Sequence, residues 1–116
     1  MKDDKVFLIH ILQNIEKIET SMKNRTKTDF KKNCDLHDAI TRRIEIIGEA
    51  VKNISEVTKK TNPDVDWRGI AGMRDKLIHF YFGVDLEITF EIIKKDIPIL
   101  EKQVKRILSS NGFSKQ

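Results

Sequence analysis

The sequence predicts an all-α protein, an antiparallel four-helix bundle that pairs into a homodimer, and three observations predict it. Apolar residues recur at three-and-four spacing through most of the chain, the period of amphipathic helices. Charged residues make up 34% and hydrophobic residues 39%, with only two prolines and five glycines, the composition of helices with charged outer faces. Connections between the periodic stretches are mostly short, as antiparallel neighbours require. The 116 residues are expected to form one domain over 1–116, large enough to bury about two thirds of the unfolded surface.

The first helix is expected at about 5–22, where Leu8, Ile11, Leu12, Ile15, Ile18 and Met22 form the stripe and Val6 and Ile9 widen it. His10 falls off the stripe and has no second metal ligand at helical spacing. The stretch KNRTKTDFKKNC lacks periodicity and reads as a solvated basic connection. Lys23, Arg25, Lys27, Lys31 and Lys32 crowd it against the single acid Asp29, and with Phe30 among them they are a candidate nucleic-acid track, since bases stack on aromatics beside cations.

Helix two is expected at 35–58, opened by Asp35 and Asp38 at its positive end. Its main stripe is Leu36, Ile40, Ile44, Ile47, Val51 and Ile54, and a second strip of Ala39, Ile46, Ala50 and Val57 implies a second neighbour. His37 reads as a first-turn surface residue. Gly48, poor in helix propensity, predicts a close helix crossing within the bundle or across a dimer. Pro63 forbids continuation beyond TKKTNPDVD.

Asp66 is placed to cap a third helix over 67–82, with Trp67 as a core anchor ahead of Ile70, Met73, Leu77 and Ile78, and Gly83 as its left-handed stop. Asp85 caps the fourth, 86–108, where Leu86, Phe90, Ile93, Ile97, Leu100, Val104 and Ile107 give the clearest periodicity of the chain. Pro98 lies inside that pattern and predicts a kink near Lys94–Pro98 rather than a break. The second strip of helix two and the glycines of helix three suggest surface that a second copy would cover.

Composition excludes several functions. A single cysteine, Cys34, rules out an intrachain disulfide and cysteine-bound zinc and points to a reducing compartment. The N-terminal apolar run is short, broken by His10 and preceded by two acids, unlike a signal peptide or membrane span. A cytoplasmic protein without membrane association, metal or cofactor is expected. The net charge of +4 and pI near 9.2 permit an anionic partner without requiring one.

The chemistry concentrates in WRGIAGMRDKLIHFYFGVD, which holds the chain's only Trp and only Tyr. Arg74 offers a permanently charged fork for phosphate, and His79 a titratable imidazole. On a helix Asp75, four residues before His79, could fix its tautomer. On the same helix Arg74 and His79 would stand about 140° apart and about 7.5 Å along the axis. Either the helix loosens before Gly83, or a second chain completes the site; the second is the preferred expectation. Two facing copies would place two imidazoles and two guanidiniums in one cleft, able to cleave RNA at its 2′-hydroxyl without metal.

RRIEIIGEA (42–50), PDVDW (63–67), GMRDKLIHFYFGVD (72–85) and DIPIL (96–100) in this order resemble the HepT-like branch of the HEPN superfamily, over roughly residues 5–108. The marker is Arg, four residues, His, any residue, Tyr, matched by Arg74, His79 and Tyr81, with Asp75 after the arginine. The resemblance implies a homodimeric helical bundle with a metal-independent ribonuclease cleft at its interface. It implies the toxin of a type II-like or type VII-like toxin–antitoxin pair, silenced by a minimal nucleotidyltransferase that transfers AMP to the tyrosine, here Tyr81, in a homodimer able to assemble further with that partner. Lys76, on the motif's helix, could meet RNA backbone. Two other readings stand beside this one: a non-catalytic module in which Arg74 and His79 grip a nucleotide or a partner, and a plain dimerisation scaffold.

Overall fold

The computed structural model describes residues 2–79 and 83–110, without the side chains of Lys2 and His79. It is mostly helical. The elements are α1 (Lys2–Met22), α2 (Lys27–Lys32), α3 (Cys34–Lys52), α4 (Glu56–Thr61), α5 (Trp67–Ala71), α6 (Met73–Leu77), the two-residue strands β1 (Ile78–His79) and β2 (Gly83–Val84), then α7 (Leu86–Glu91), a π-helical segment (Ile92–Asp96) and α8 (Ile97–Ser109).

Long helices α1, α3 and α8 carry the core. α1 packs against α3 and α8, while α5 and α6 lie along α3 in place of a continuous third helix. Leu8, Ile11, Ile15 and Ile18 of α1 meet Ile40, Ile44, Ile47 and Val51 of α3 and Ile97, Leu100, Val104 and Ile107 of α8, all buried as their spacing predicts. Val6 and Ile9 do not widen that stripe; both are exposed.

The basic connection is not a loop throughout. Thr26 and Asp29 form a reciprocal capping box, each side chain accepting the other's backbone N–H, and this starts α2. Phe30 is thereby driven fully into the core, its ring edge-on to His37 at 5.9 Å and tilted toward Phe90 at 6.0 Å. His37 is therefore largely covered, its side chain 15% exposed, and not a surface residue.

Asn33, rather than Asp35, caps α3, its side chain accepting from the Leu36 N–H at 3.0 Å. The predicted helix two stops early, at Lys52, because Asn53 and the Ser55 cap restart the chain as α4. That restart turns Val57 of the second strip out to solvent. Asp4 secures the restart: its buried carboxylate accepts from the Ser55 N–H and hydroxyl at 2.9 and 2.6 Å and from the Thr58 hydroxyl at 2.5 Å. The close crossing at Gly48 lies inside the bundle. A Cβ there would stand 3.2 Å from the Ala71 carbonyl oxygen and 3.3 Å from that of Ile70, so α5 ends directly on α3.

The Pro98 distortion takes the form of the π-helical segment. Its ring would strike the Lys94 carbonyl of a regular α-turn, and the wider turn, in which the Ile97 N–H donates to the Ile92 carbonyl, makes room. Asp66 and Asp85 cap α5 and α7 as expected, accepting from the N–H groups of Gly69 and Ile88. Among the described residues no helix is long and apolar enough to cross a membrane, and no group of three or more His, Cys, Asp or Glu side chains is placed to hold a metal ion.

Candidate active site around Arg74

The predicted helix over 67–82 ends at Leu77. Gly72 already interrupts it, and Ile78 turns to extended backbone, pairing antiparallel with Val84 while His79 pairs with Gly83. Residues 78–82 are Ile, His, Phe, Tyr and Phe, mainly β-branched or aromatic types that favour strands over helices. Gly83 is left-handed, with φ +75°, but as the entry to β2 and not as a helix stop. The motif thus straddles an α–β junction, Arg74 on a helix and the His79 backbone on a strand. Tyr81, with Phe80 and Phe82, lies outside the described residues, as does the His79 side chain.

The 140° separation of Arg74 from His79 belonged to a continuous helix and does not apply. The helix does loosen before Gly83, so helical geometry no longer supplies a reason for a second chain. The helical i,i+4 register of Asp75 and His79 does not apply for the same cause. Asp75 instead faces Arg74, its Oδ1 3.8 Å from Nη1.

Arg74 is held from the other side by α3. Its Nε lies 3.4 Å from Oε2 of Glu45, one turn before the Gly48 crossing, and the same Glu45 oxygen lies 3.7 Å from Nη1 of Arg42. The Arg74 side chain remains 54% exposed. It borders a cavity of about 340 Å³ also lined by Arg42, Glu45, Glu49, Lys52 and Asp75. Glu45 and Arg42 were not among the predicted site residues; the RRIEIIGEA stretch contains both, but their approach to Arg74 is a tertiary contact with no local signal. Lys76 points away from this group, lining a separate cleft of about 200 Å³ between α5–α6 and α8 with Asp96 and Ile99.

The glycines of this region have internal causes. At Gly69 a Cβ would fall on the Asp66 capping carboxylate, and at Gly72 it would meet only the carbonyls of its own turn. Neither shows a second helix approaching. Trp67 is buried, and its indole N–H donates to the Asn62 carbonyl at 3.0 Å, which makes it the core anchor expected.

The basic cluster divides. Lys23, Arg25 and Lys32 are exposed, whereas Lys27 and Lys31 both bond to Glu87 at the start of α7. The hydrogen bonds from Lys27 and Lys31 hold the Glu87 carboxyl below the usual range. Lys27 and Lys94 also sit over the Phe90 ring, 5.9 and 5.4 Å from its centroid. Phe30, being buried, cannot stack a base.

The sequence profile of the family described as ribonuclease HepT-like matches residues 11–107. The chain belongs to that family. A relative in Caldanaerobacter subterraneus, named "Putative RNase", is 50% identical over 108 residues, covering 93% of this chain and 96% of the relative. A Thermococcus cleftensis protein named "Probable ribonuclease HepT" is 40% identical over 106 residues, 91% of this chain and 96% of that one. A Methanocaldococcus jannaschii relative, whose name joins a gamma-glutamylcyclotransferase to a "putative RNase", is 48% identical over 107 residues. This HepT-like chain aligns along 92% of its own length but only 48% of that protein. No solved structure matches the chain.

Proposed function

We propose that this HepT-like protein is a metal-independent endoribonuclease whose working groups are Arg74 and His79. The observation that carries the reading is a half-exposed guanidinium, anchored on its inner side and open to a cavity, at the position where the HepT-like resemblance puts the motif arginine. The imidazole of His79 takes the proton of an RNA 2′-hydroxyl, whose oxygen attacks the adjacent phosphorus. The 5′-oxygen leaves with a proton from a second acid, giving a cyclic phosphate and a 5′-hydroxyl end. Arg74 bears the charge that builds on the phosphoryl oxygens. Asp75 supports it through the guanidinium it faces. DNA lacks the nucleophile and is spared.

Two copies facing across a two-fold axis supply the acid and the base from their two His79 residues. Support for the homodimer comes from the HepT-like resemblance, since the helix break removed the angular reason. From that resemblance we also propose a toxin role, with a minimal nucleotidyltransferase as antitoxin that transfers AMP to Tyr81 and can join the dimer in a larger assembly. A second reading has one observation in its favour: Glu45 and Asp75 give Arg74 the partners of a structural ion pair, as a non-catalytic nucleotide- or partner-binding module would have.

Purified protein incubated with RNA in excess EDTA decides between them. Cleavage by wild type and its loss in Arg74→Ala and in His79→Ala is expected; no cleavage, or undiminished cleavage by either variant, refutes the enzyme. Mixed dimers of the two variants regain activity if a site draws on both chains. Intact mass after co-production with a nucleotidyltransferase reads the modification, and a shift that survives Tyr81→Phe counts against that residue.

A further inference from the structure

We infer that Glu45 is a positioning residue for Arg74, holding its guanidinium so that the Nη edge faces an RNA phosphate; this rests on the reading of Arg74 as the phosphate contact. Arg74 is carried by a five-residue helix that ends three residues later, a short support for a long side chain. Fixing such a side chain costs up to about 2 kcal/mol of rotamer entropy, which catalysis would otherwise meet at each turnover. Glu45 meets that cost in the folded protein. Its carboxylate comes from the middle of α3, and α6, which carries Arg74, packs along that same helix just beyond the Gly48 crossing.

The contact is made to Nε at 3.4 Å, the donor nearest the stem, and among the described residues the acid beside the distal edge is Asp75, at 3.8 Å. Arg42, 3.7 Å from the same Glu45 oxygen, steadies the carboxylate in turn. Stability is a poor reason for the pair. A partly exposed ion pair contributes about 0–1 kcal/mol, whereas misplacement of a catalytic group by about 1 Å can cost a hundredfold in rate.

The test combines NMR of the Arg74 Nε–H with single-turnover cleavage of RNA in EDTA, on wild type, Glu45→Ala and Glu45→Gln. Glu45→Gln keeps the reach of the side chain but not its charge, so Gln should fall between wild type and alanine both in the distinctness of the Nε–H resonance and in the cleavage rate. Alanine should lose the distinct resonance and about tenfold or more in the rate constant, with apparent RNA affinity changed less than about threefold. An unchanged Nε–H signal in Glu45→Ala overturns the inference, and so does a wild-type rate in that variant. If wild type cleaves no RNA, the ribonuclease reading fails separately, and the Nε–H signal alone decides whether Glu45 holds Arg74.

Discussion

Replacing Asp4 by alanine should destabilise the protein more than any single change on its surface. The carboxylate is 2% exposed and accepts three hydrogen bonds, from the Ser55 N–H, the Ser55 hydroxyl and the Thr58 hydroxyl. Truncation removes all three bonds, and although the two hydroxyls, 3.4 Å apart, can still turn to each other, losing the charged acceptor costs about 2–4 kcal/mol in total. At roughly 4 °C per kcal/mol for a chain of this size, the Tm should fall by about 8–16 °C. Asparagine, which keeps one acceptor, should lose about half as much. The dependence on pH has a definite sign. Burial pushes the Asp4 carboxyl up, but the hydrogen bonds from Ser55 and Thr58 outweigh it and leave the group below its ordinary value. Its contribution is therefore complete above the unfolded value of about 3.9 and is lost as pH falls through the lower folded value. In thermal melts the gap between wild type and Asp4→Asn should narrow as pH falls from about 7 to about 2.5; a constant gap, or an alanine loss under about 1 kcal/mol, refutes the account.

Gly48→Val should cost about 1–3 kcal/mol by overpacking against the Ile70 and Ala71 carbonyls, read as a lowered denaturation midpoint; an unchanged midpoint would mean α5 does not press on α3. Glu87→Gln releases Lys27 and Lys31, so binding of a 2′-deoxy oligonucleotide should strengthen at low salt, with a steeper salt dependence, in fluorescence anisotropy. In the unaltered protein, alanine at Lys23, Arg25 or Lys32 should weaken that binding more than alanine at Lys27 or Lys31, and the reverse order would remove Glu87 as their counterion.

What was legible in the sequence follows from how local each signal is. α1 and α8 could be read because one apolar stripe on one long helix has a single solution, and Asp66 and Asp85 because a cap acts on residues three positions away. Gly48 announced a crossing, though only the structure names the Ile70 and Ala71 carbonyls. The box at Thr26 and Asp29 was readable but masked by the lysines around it. At 78–84 the apolar residues satisfied helical spacing while their β-branched and aromatic character favoured strands, and burial pattern alone cannot separate the two over so short a run. Glu45 was beyond reach for another reason. Its partner sits on a different helix, and no periodicity encodes which charges meet across a tertiary contact.

The break at Leu77 alters how the motif must be understood. A continuous helix would have made the spacing of Arg74 and His79 a fixed angle and left only a second chain to reconcile them. With a strand beginning at Ile78, the two residues instead have separate supports. Arg74 is fixed through α6 and Glu45 to α3, and the His79 backbone through its pairing with Gly83 to the start of α7. Mutations on the two supports should then fail differently. Loss of Glu45 should disorder the Arg74 guanidinium while leaving the strand pair intact. Alanine at Gly83, strained at φ +75° although nothing crowds its Cβ, should disturb the histidine while leaving the Arg74–Glu45 pair in place. Cleavage lost in Gly83→Ala with an unchanged Arg74 Nε–H resonance would show the two supports to be independent. A shifted resonance would mean that α6 and the hairpin move as one body.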